Sequence, residues 1–196
     1  MNNSAYSSNR IKKLVIIGML GGISIFLGIT PLGIIHLPVI NLTIMHIPVI
    51  IGAILEGPVV GGTIGLIFGL FSMYQNFTTP NLTSFIFWNP LIALVPRIMI
   101  GIVSYYVYNF LKNKFKNKSL TVGIAAIAGT LTNTIGVLGL TYLIYLERYA
   151  AAKNISTDMV GGALLTVIGT NGVAEAILSA VIAIPIVGAV NKMRRS

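Results

Sequence analysis

Long apolar stretches constrain this chain more than any other feature: Ile11 to Thr30, Ser84 to Leu111, Leu120 to Leu146, and Met159 to Val190. A helix crosses the hydrocarbon layer of a bilayer with about 20 apolar residues, so each of the four is long enough to span. A further apolar stretch, Leu32 to Met73, is broken by Glu56-Gly57-Pro58, a turn signal. The break divides it into a segment near Leu42 to Leu55 and another near Val59 to Met73. Each is short for a full span at about 1.5 Å per residue. Two short helices and a re-entrant hairpin both return the chain to the side it left. The expected fold is an all-α integral membrane protein of six transmembrane helices, forming a single membrane domain over residues 1–196.

Composition agrees. Only 9% of the 196 residues are charged and 55% are hydrophobic, against about 25% charged residues in an average soluble domain. The net charge of +9 does not point to nucleic acid, because the basic residues cluster at the ends of apolar runs, where anionic headgroups meet them. The chain has no cysteine, which excludes disulfides, thiolate metal sites and a cysteine nucleophile. The first apolar run follows Arg10, Lys12 and Lys13 and extends from Leu14 to Thr30 without a convincing small-x-small cleavage site, so it reads as a retained helix.

Orientation follows from the distribution of basic residues. Arg10, Lys12, Lys13, Lys112, Lys114, Lys116, Lys118, Lys192, Arg194 and Arg195 fall on one side, whereas the other carries Arg148 and Lys153 together with Glu147 and Asp158. The positive-inside rule then places both termini in the cytoplasm. Phe85, Phe87 and Trp88, then Tyr105, Tyr106, Tyr108 and Phe110, bracket the fourth segment, and Tyr142, Tyr145 and Tyr149 mark the outer end of the fifth. Three outer loops, Pro31 to Asn41, Tyr74 to Thr83 and Glu147 to Asp158, are the natural lids.

Polar groups inside hydrocarbon cost about 2.5–3.5 kcal/mol for a central Arg or Asp on insertion scales, so each one needs a reason. Arg97 lies in the fourth segment, Asn133 with Thr132 and Thr134 in the fifth, and Asn171 with Glu175 in the sixth, all at similar depth counted from the segment ends. One reading is a polar pocket in which Arg97 and Glu175 supply charge and the asparagines supply donors and acceptors. The other is mutual neutralisation of Arg97 and Glu175, with the asparagines joining helices. Pro96 cannot donate a backbone hydrogen bond and frees a carbonyl beside Arg97. His46, near the outer end of the second segment, is expected as a hydrogen-bonding pocket or lid residue. With His36 it lacks the further ligands a metal site needs.

Gly57, Gly61, Gly65 and Gly69 recur every four residues, a smooth stripe for close helix packing, and Gly18 and Gly22 repeat the spacing in the first segment. No G-x-x-x-x-G-K-[ST] loop, G-x-S-x-G elbow or H-E-x-x-H motif is present. With four acidic residues in all, paired-carboxylate and two-metal chemistry have almost nothing to use. Neither an enzyme nor a cofactor is expected.

The stretch TIMHIPVIIGAILEGPVVGGTIGLIFGLFSM (Thr43 to Met73), with TSFIFWNP (Thr83 to Pro90), VPRIMIG (Val95 to Gly101), GTLTNTIGVLG (Gly129 to Gly139) and NGVAEAI (Asn171 to Ile177), resembles the substrate-specificity subunits of energy-coupling factor (ECF) transporters over nearly the whole chain. That resemblance implies a six-helix subunit of the bacterial plasma membrane with its first outer loop as a lid. Such a subunit binds a vitamin or precursor from outside and docks on a separate membrane coupling subunit driven by two ATPases. It implies docking through a small-x-x-x-small pattern in the first helix, occupied here by Gly18 and Gly22 rather than alanines. Among ligand classes, MHIPVIIGAI and PRI are most similar to the pantothenate-type members, and a guanidinium at pocket depth suits a carboxylate. Neutral pyridoxine or hydroxymethylpyrimidine fits if Glu175 neutralises Arg97, and folate and riboflavin are further alternatives within the family. A self-sufficient carrier or channel is the rival outside it, and no internal repeat supports it.

Overall fold

The computed structural model describes residues 3–36 and 41–194. Seven helices and one small hairpin make up the described chain. Helix α1 (Asn3–Ile29) is followed by the antiparallel strands β1 (Ile34–His36) and β2 (Asn41–Thr43), in the register Ile34 to Thr43 and His36 to Asn41. Then come α2 (Ile47–Glu56), α3 (Pro58–Thr78), α4 (Pro90–Leu111), α5 (Lys118–Lys153), α6 (Thr157–Val167) and α7 (Val173–Met193). A single π turn, Ile168–Gly172, joins α6 to α7 in one continuous run. The chain is an all-α membrane protein, and among the described residues five helices are long and apolar enough to cross a bilayer.

Helix α2 is the exception to the expected pattern. Its 10 residues rise about 15 Å at 1.5 Å each, half of a roughly 30 Å hydrocarbon layer. The Glu56-Gly57-Pro58 break therefore separates a half-length helix from a full span, so the expectation of a short segment holds for α2 and not for the 21-residue α3. Gly57 makes the turn at φ +103°, a backbone region that suits glycine, and Pro58 opens α3 with its fixed φ. The boundary of α4 also differs from the expectation. Asn89 caps the helix, its side chain accepting from the Leu91 N–H, and Pro90 follows at the first helical position. Ser84, Phe85, Phe87 and Trp88 accordingly lie before the span, not within it, and Arg97 sits in its second turn.

The glycine stripe on α3 performs the packing its spacing suggested. A Cβ at Gly65 would fall 2.2 Å from the Arg97 carbonyl oxygen, one at Gly69 2.7 Å from that of Ala93, and one at Gly61 3.0 Å from the Gly101 Cα. The α3 and α4 backbones are thus in direct contact, as small residues permit. Around this pair the apolar core gathers Val49, Ile50, Ile64, Phe68, Ile100, Val122, Ala125 and Val187. A second cluster of Phe85, Ile92, Val137, Tyr149, Val160 and Leu164 fills the opposite end. Tyr149 belongs to that core, so it is not an interfacial belt residue, and Tyr145 carries a kink in α5 at φ −127°, ψ 26°.

Contacts fix which ends of the helices share a face. Arg194 pairs with Glu56 and donates to the Leu55 carbonyl, and Lys118 and Lys192 line one cleft. The C-terminal end of α7, the α2–α3 turn and the start of α5 therefore lie on one side. The hairpin and the α3–α4 connection lie on the other.

Candidate functional site

The half-length α2 determines the site, because it brings His46 to the middle of the bundle, buried at 1% exposure, instead of to an outer end. His46 Nε2 lies 3.0 Å from the Thr130 Oγ1 of α5 and 2.8 Å from the Ser179 Oγ of α7, and these hydroxyls are 2.9 Å apart. Ser179 donates to the Glu175 carbonyl at 2.8 Å, and Thr130 reaches the Ala126 carbonyl at 3.0 Å. Three helices are thus joined by one buried polar cluster, while His46 Nδ1 has no partner.

Glu175 lies one turn before Ser179 and is 8% exposed. Its Oε1 accepts from the Thr43 N–H at 2.8 Å and from the Thr43 hydroxyl at 2.7 Å. Thr43 ends β2, three residues before His46, so two successive rungs tie the hairpin segment to α7. Glu175 therefore serves the hairpin, and its carboxylate does not neutralise Arg97: no ion pair between them forms among the described residues.

Arg97 is 5% exposed in α4. Its Nη1 donates to the Ile92 carbonyl at 2.8 Å, its Cζ lies over the Phe87 ring at 4.8 Å and the Phe68 ring at 5.6 Å, and its Nε is buried without a partner. Across from Arg97 on α5, Gly136 faces Pro96 and Gly129 faces Ile100 and Ser104. Asn133 lies between those two glycines, level with Arg97, and its Oδ1 is likewise buried without a partner. On the other flank of α5, Thr134 contacts Gly172, which puts the π turn at the same depth. Asn171 lies within that turn, its amide oxygen accepting from Thr170 at 3.1 Å. A π turn inserts one residue into the helical register, and such turns are common at functional sites.

The structure thus brings His46, Glu175 and the α7 polar stripe together, sets Arg97 and Asn133 level with them, and leaves Asn171 at the edge. Thr43, Thr130 and Ser179 were not singled out from the sequence. The available signal was spacing: Ser179 lies four residues after Glu175, on the same helix face. Gly18 and Gly22 take no part in the site. A Cβ at either would meet nothing within 4 Å, whereas Gly21 and Gly28 of the same helix face Ile67, Phe71 and Met45. The Gly18–Gly22 face of α1 is open.

These features amount to a set of buried polar side chains within a membrane bundle, and comparison with known proteins gives the class of the chain. The family model for the ECF transporter, substrate-specific component, matches residues 12–187, and the chain belongs to that family. It is a multi-pass membrane protein of vitamin uptake, a transporter component and not an enzyme. Over 150 residues the chain is 34% identical to the pantothenic acid transporter PanT of Lactococcus lactis subsp. cremoris, an alignment covering 69% of this chain and 70% of that protein. It is 31% identical over 131 residues to the pantothenate transporter PanT of Leuconostoc mesenteroides subsp. mesenteroides, covering 65% of this chain and 64% of that one.

Proposed function

We propose that this chain is the pantothenate-capturing subunit of an ECF importer in the bacterial plasma membrane. In this reading both termini are cytoplasmic and residues 1–196 form one membrane domain. The ligand enters from outside beneath the β1–β2 hairpin and binds among Arg97, Asn133, Asn171, His46 and Glu175. Transport is completed by a separate coupling subunit, docked on the Gly18–Gly22 face, and by two ATPases.

One observation carries the reading. Five side-chain polar atoms among the described residues are buried without a partner, and three of them are Arg97 Nε, Asn133 Oδ1 and His46 Nδ1. An unsatisfied buried polar atom costs about 1–3 kcal/mol. A donor, an acceptor and an imidazole nitrogen left open together are best explained by a ligand that completes them. Pantothenate offers a carboxylate for the guanidinium and an amide and hydroxyls for the others. With Glu175 engaged by Thr43, Arg97 keeps its charge for that carboxylate, which favours an anionic ligand over pyridoxine or hydroxymethylpyrimidine.

Equilibrium binding of labelled pantothenate to the purified subunit tests this. Saturable binding at micromolar ligand is expected, with Arg97→Gln weakening it about thirtyfold or more, since truncating one partner of a buried charged pair costs about 2–5 kcal/mol. Absence of saturable binding by the unmodified protein would overturn the assignment.

A further inference from the structure

Within a helix the carbonyl of residue 92 accepts from the N–H of residue 96. Here residue 96 is proline, which has no N–H, and its ring presses on the same carbonyl. In hydrocarbon a freed carbonyl must find another donor. The one it finds belongs to the neighbouring residue: Arg97 curls back along its own helix and places Nη1 2.8 Å from the Ile92 oxygen.

That contact decides which part of the guanidinium remains usable. The group is planar with five donors in a fixed fork. Nη1 gives one of its N–H groups to Ile92, and Cζ lies over the Phe87 and Phe68 rings. Untouched by that contact is the in-plane edge of Nε and Nη2, the pair of parallel donors that takes a carboxylate side-on, and Nε is the buried nitrogen without a partner. The proline acts on the facing helix as well. A Cβ at Gly136 would come within 3.1 Å of the Pro96 Cβ and 3.3 Å of its Cγ, so the ring seats α5 three residues from Asn133.

We propose that Pro96 is a positioning residue for carboxylate recognition: by withholding its N–H it anchors Arg97 Nη1 on the Ile92 carbonyl and turns the Nε–Nη2 edge toward the ligand. The inference rests on the capture function proposed above, and it adds a prediction about selectivity that the function alone does not make.

The test compares pantothenate with pantothenol, in which CH2OH replaces the carboxylate, on the purified full-length protein and its Pro96→Ala variant. Alanine restores an N–H for the Ile92 carbonyl and releases Arg97. Pantothenate affinity is expected to fall about tenfold, with pantothenol affinity changed less than twofold. A parallel fall for both ligands would make Pro96 merely structural, and no fall for either would also overturn the proposal. Arginine-selective 15N NMR without ligand provides a second readout, in which the Arg97 Nη1 protons are protected from exchange in the unmodified protein and lose protection in the variant. Unchanged protection would overturn the proposal. Failure of the unmodified protein to bind pantothenate would instead reject the capture function, leaving the NMR result to decide the anchoring.

Discussion

Glu175 accepts two hydrogen bonds from a single residue, Thr43, and this distinguishes sharply between its replacements. Glu175→Gln keeps an acceptor oxygen and should hold the hairpin segment. Glu175→Ala removes both bonds, about 2 kcal/mol at a typical 1 kcal/mol each. Bound ligand should then leave about ten to thirty times faster from the alanine variant and less than threefold faster from the glutamine variant, as measured by release of preloaded ligand after dilution. Equal rates from both variants would sink the idea that Thr43 and Glu175 restrain the hairpin. At this scale the sequence was partly legible. Arg97, Asn133 and Glu175 stand out because hydrophilic groups are rare in apolar runs. Thr43, Thr130 and Ser179 do not, because a hydroxyl in a membrane helix can satisfy itself on the preceding turn, as Thr132 and Thr141 do. Charge alone leaves both a shared pocket and a pairing of Arg97 with Glu175 open, but the hairpin's own demand for an acceptor gives Glu175 another partner.

Among the elements, α3 and α4 allow the least change. A methyl at Gly65 meets the Arg97 carbonyl oxygen and carbon at 2.2 and 2.8 Å, and backbone cannot move aside as a flexible side chain can. Gly65→Ala should destabilise the protein by about 1–3 kcal/mol, the usual range for overpacking, and weaken ligand binding as well because the clash falls at Arg97 itself. Thermal unfolding in detergent and pantothenate titration check the two effects, and a variant as stable as the parent would refute the packing account. The four-residue glycine period made this contact readable in advance, since small residues recurring on one face permit close approach. Helix ends were less readable by hydropathy: Phe85, Phe87 and Trp88 are apolar yet precede α4, and the Asn89-Pro90 capping signal was the better guide. The π turn at Asn171 has no sequence signature that hydropathy reports.

For the whole molecule, the least covered span is α1, with 17% of its apolar window buried against 28–39% in the other four. A Cβ at Gly18 or Gly22 meets nothing within 4 Å, so the Gly18→Leu, Gly22→Leu double variant should keep its melting temperature within about 2 °C and bind pantothenate normally. Reconstituted with the coupling subunit and ATPases, it should lose most ATP-driven uptake. Unimpaired uptake would remove this face from the proposed assembly. The number of spans was nearly legible from the apolar runs, and so was the shortness of Leu42 to Leu55, but the start of α2 was not, because only tertiary contacts reveal that helix begins at Ile47. That truncated rod has a consequence for how a guest could come and go. The upper half of its column is a slender ribbon, stitched to the remainder by Thr43 and by the Ile44 amide on the Gly33 carbonyl, so an opening there need not disturb the five tall pillars around it. Admission to the interior then resembles lifting a flap, and deuterium uptake should quicken along the ribbon while the pillars remain silent.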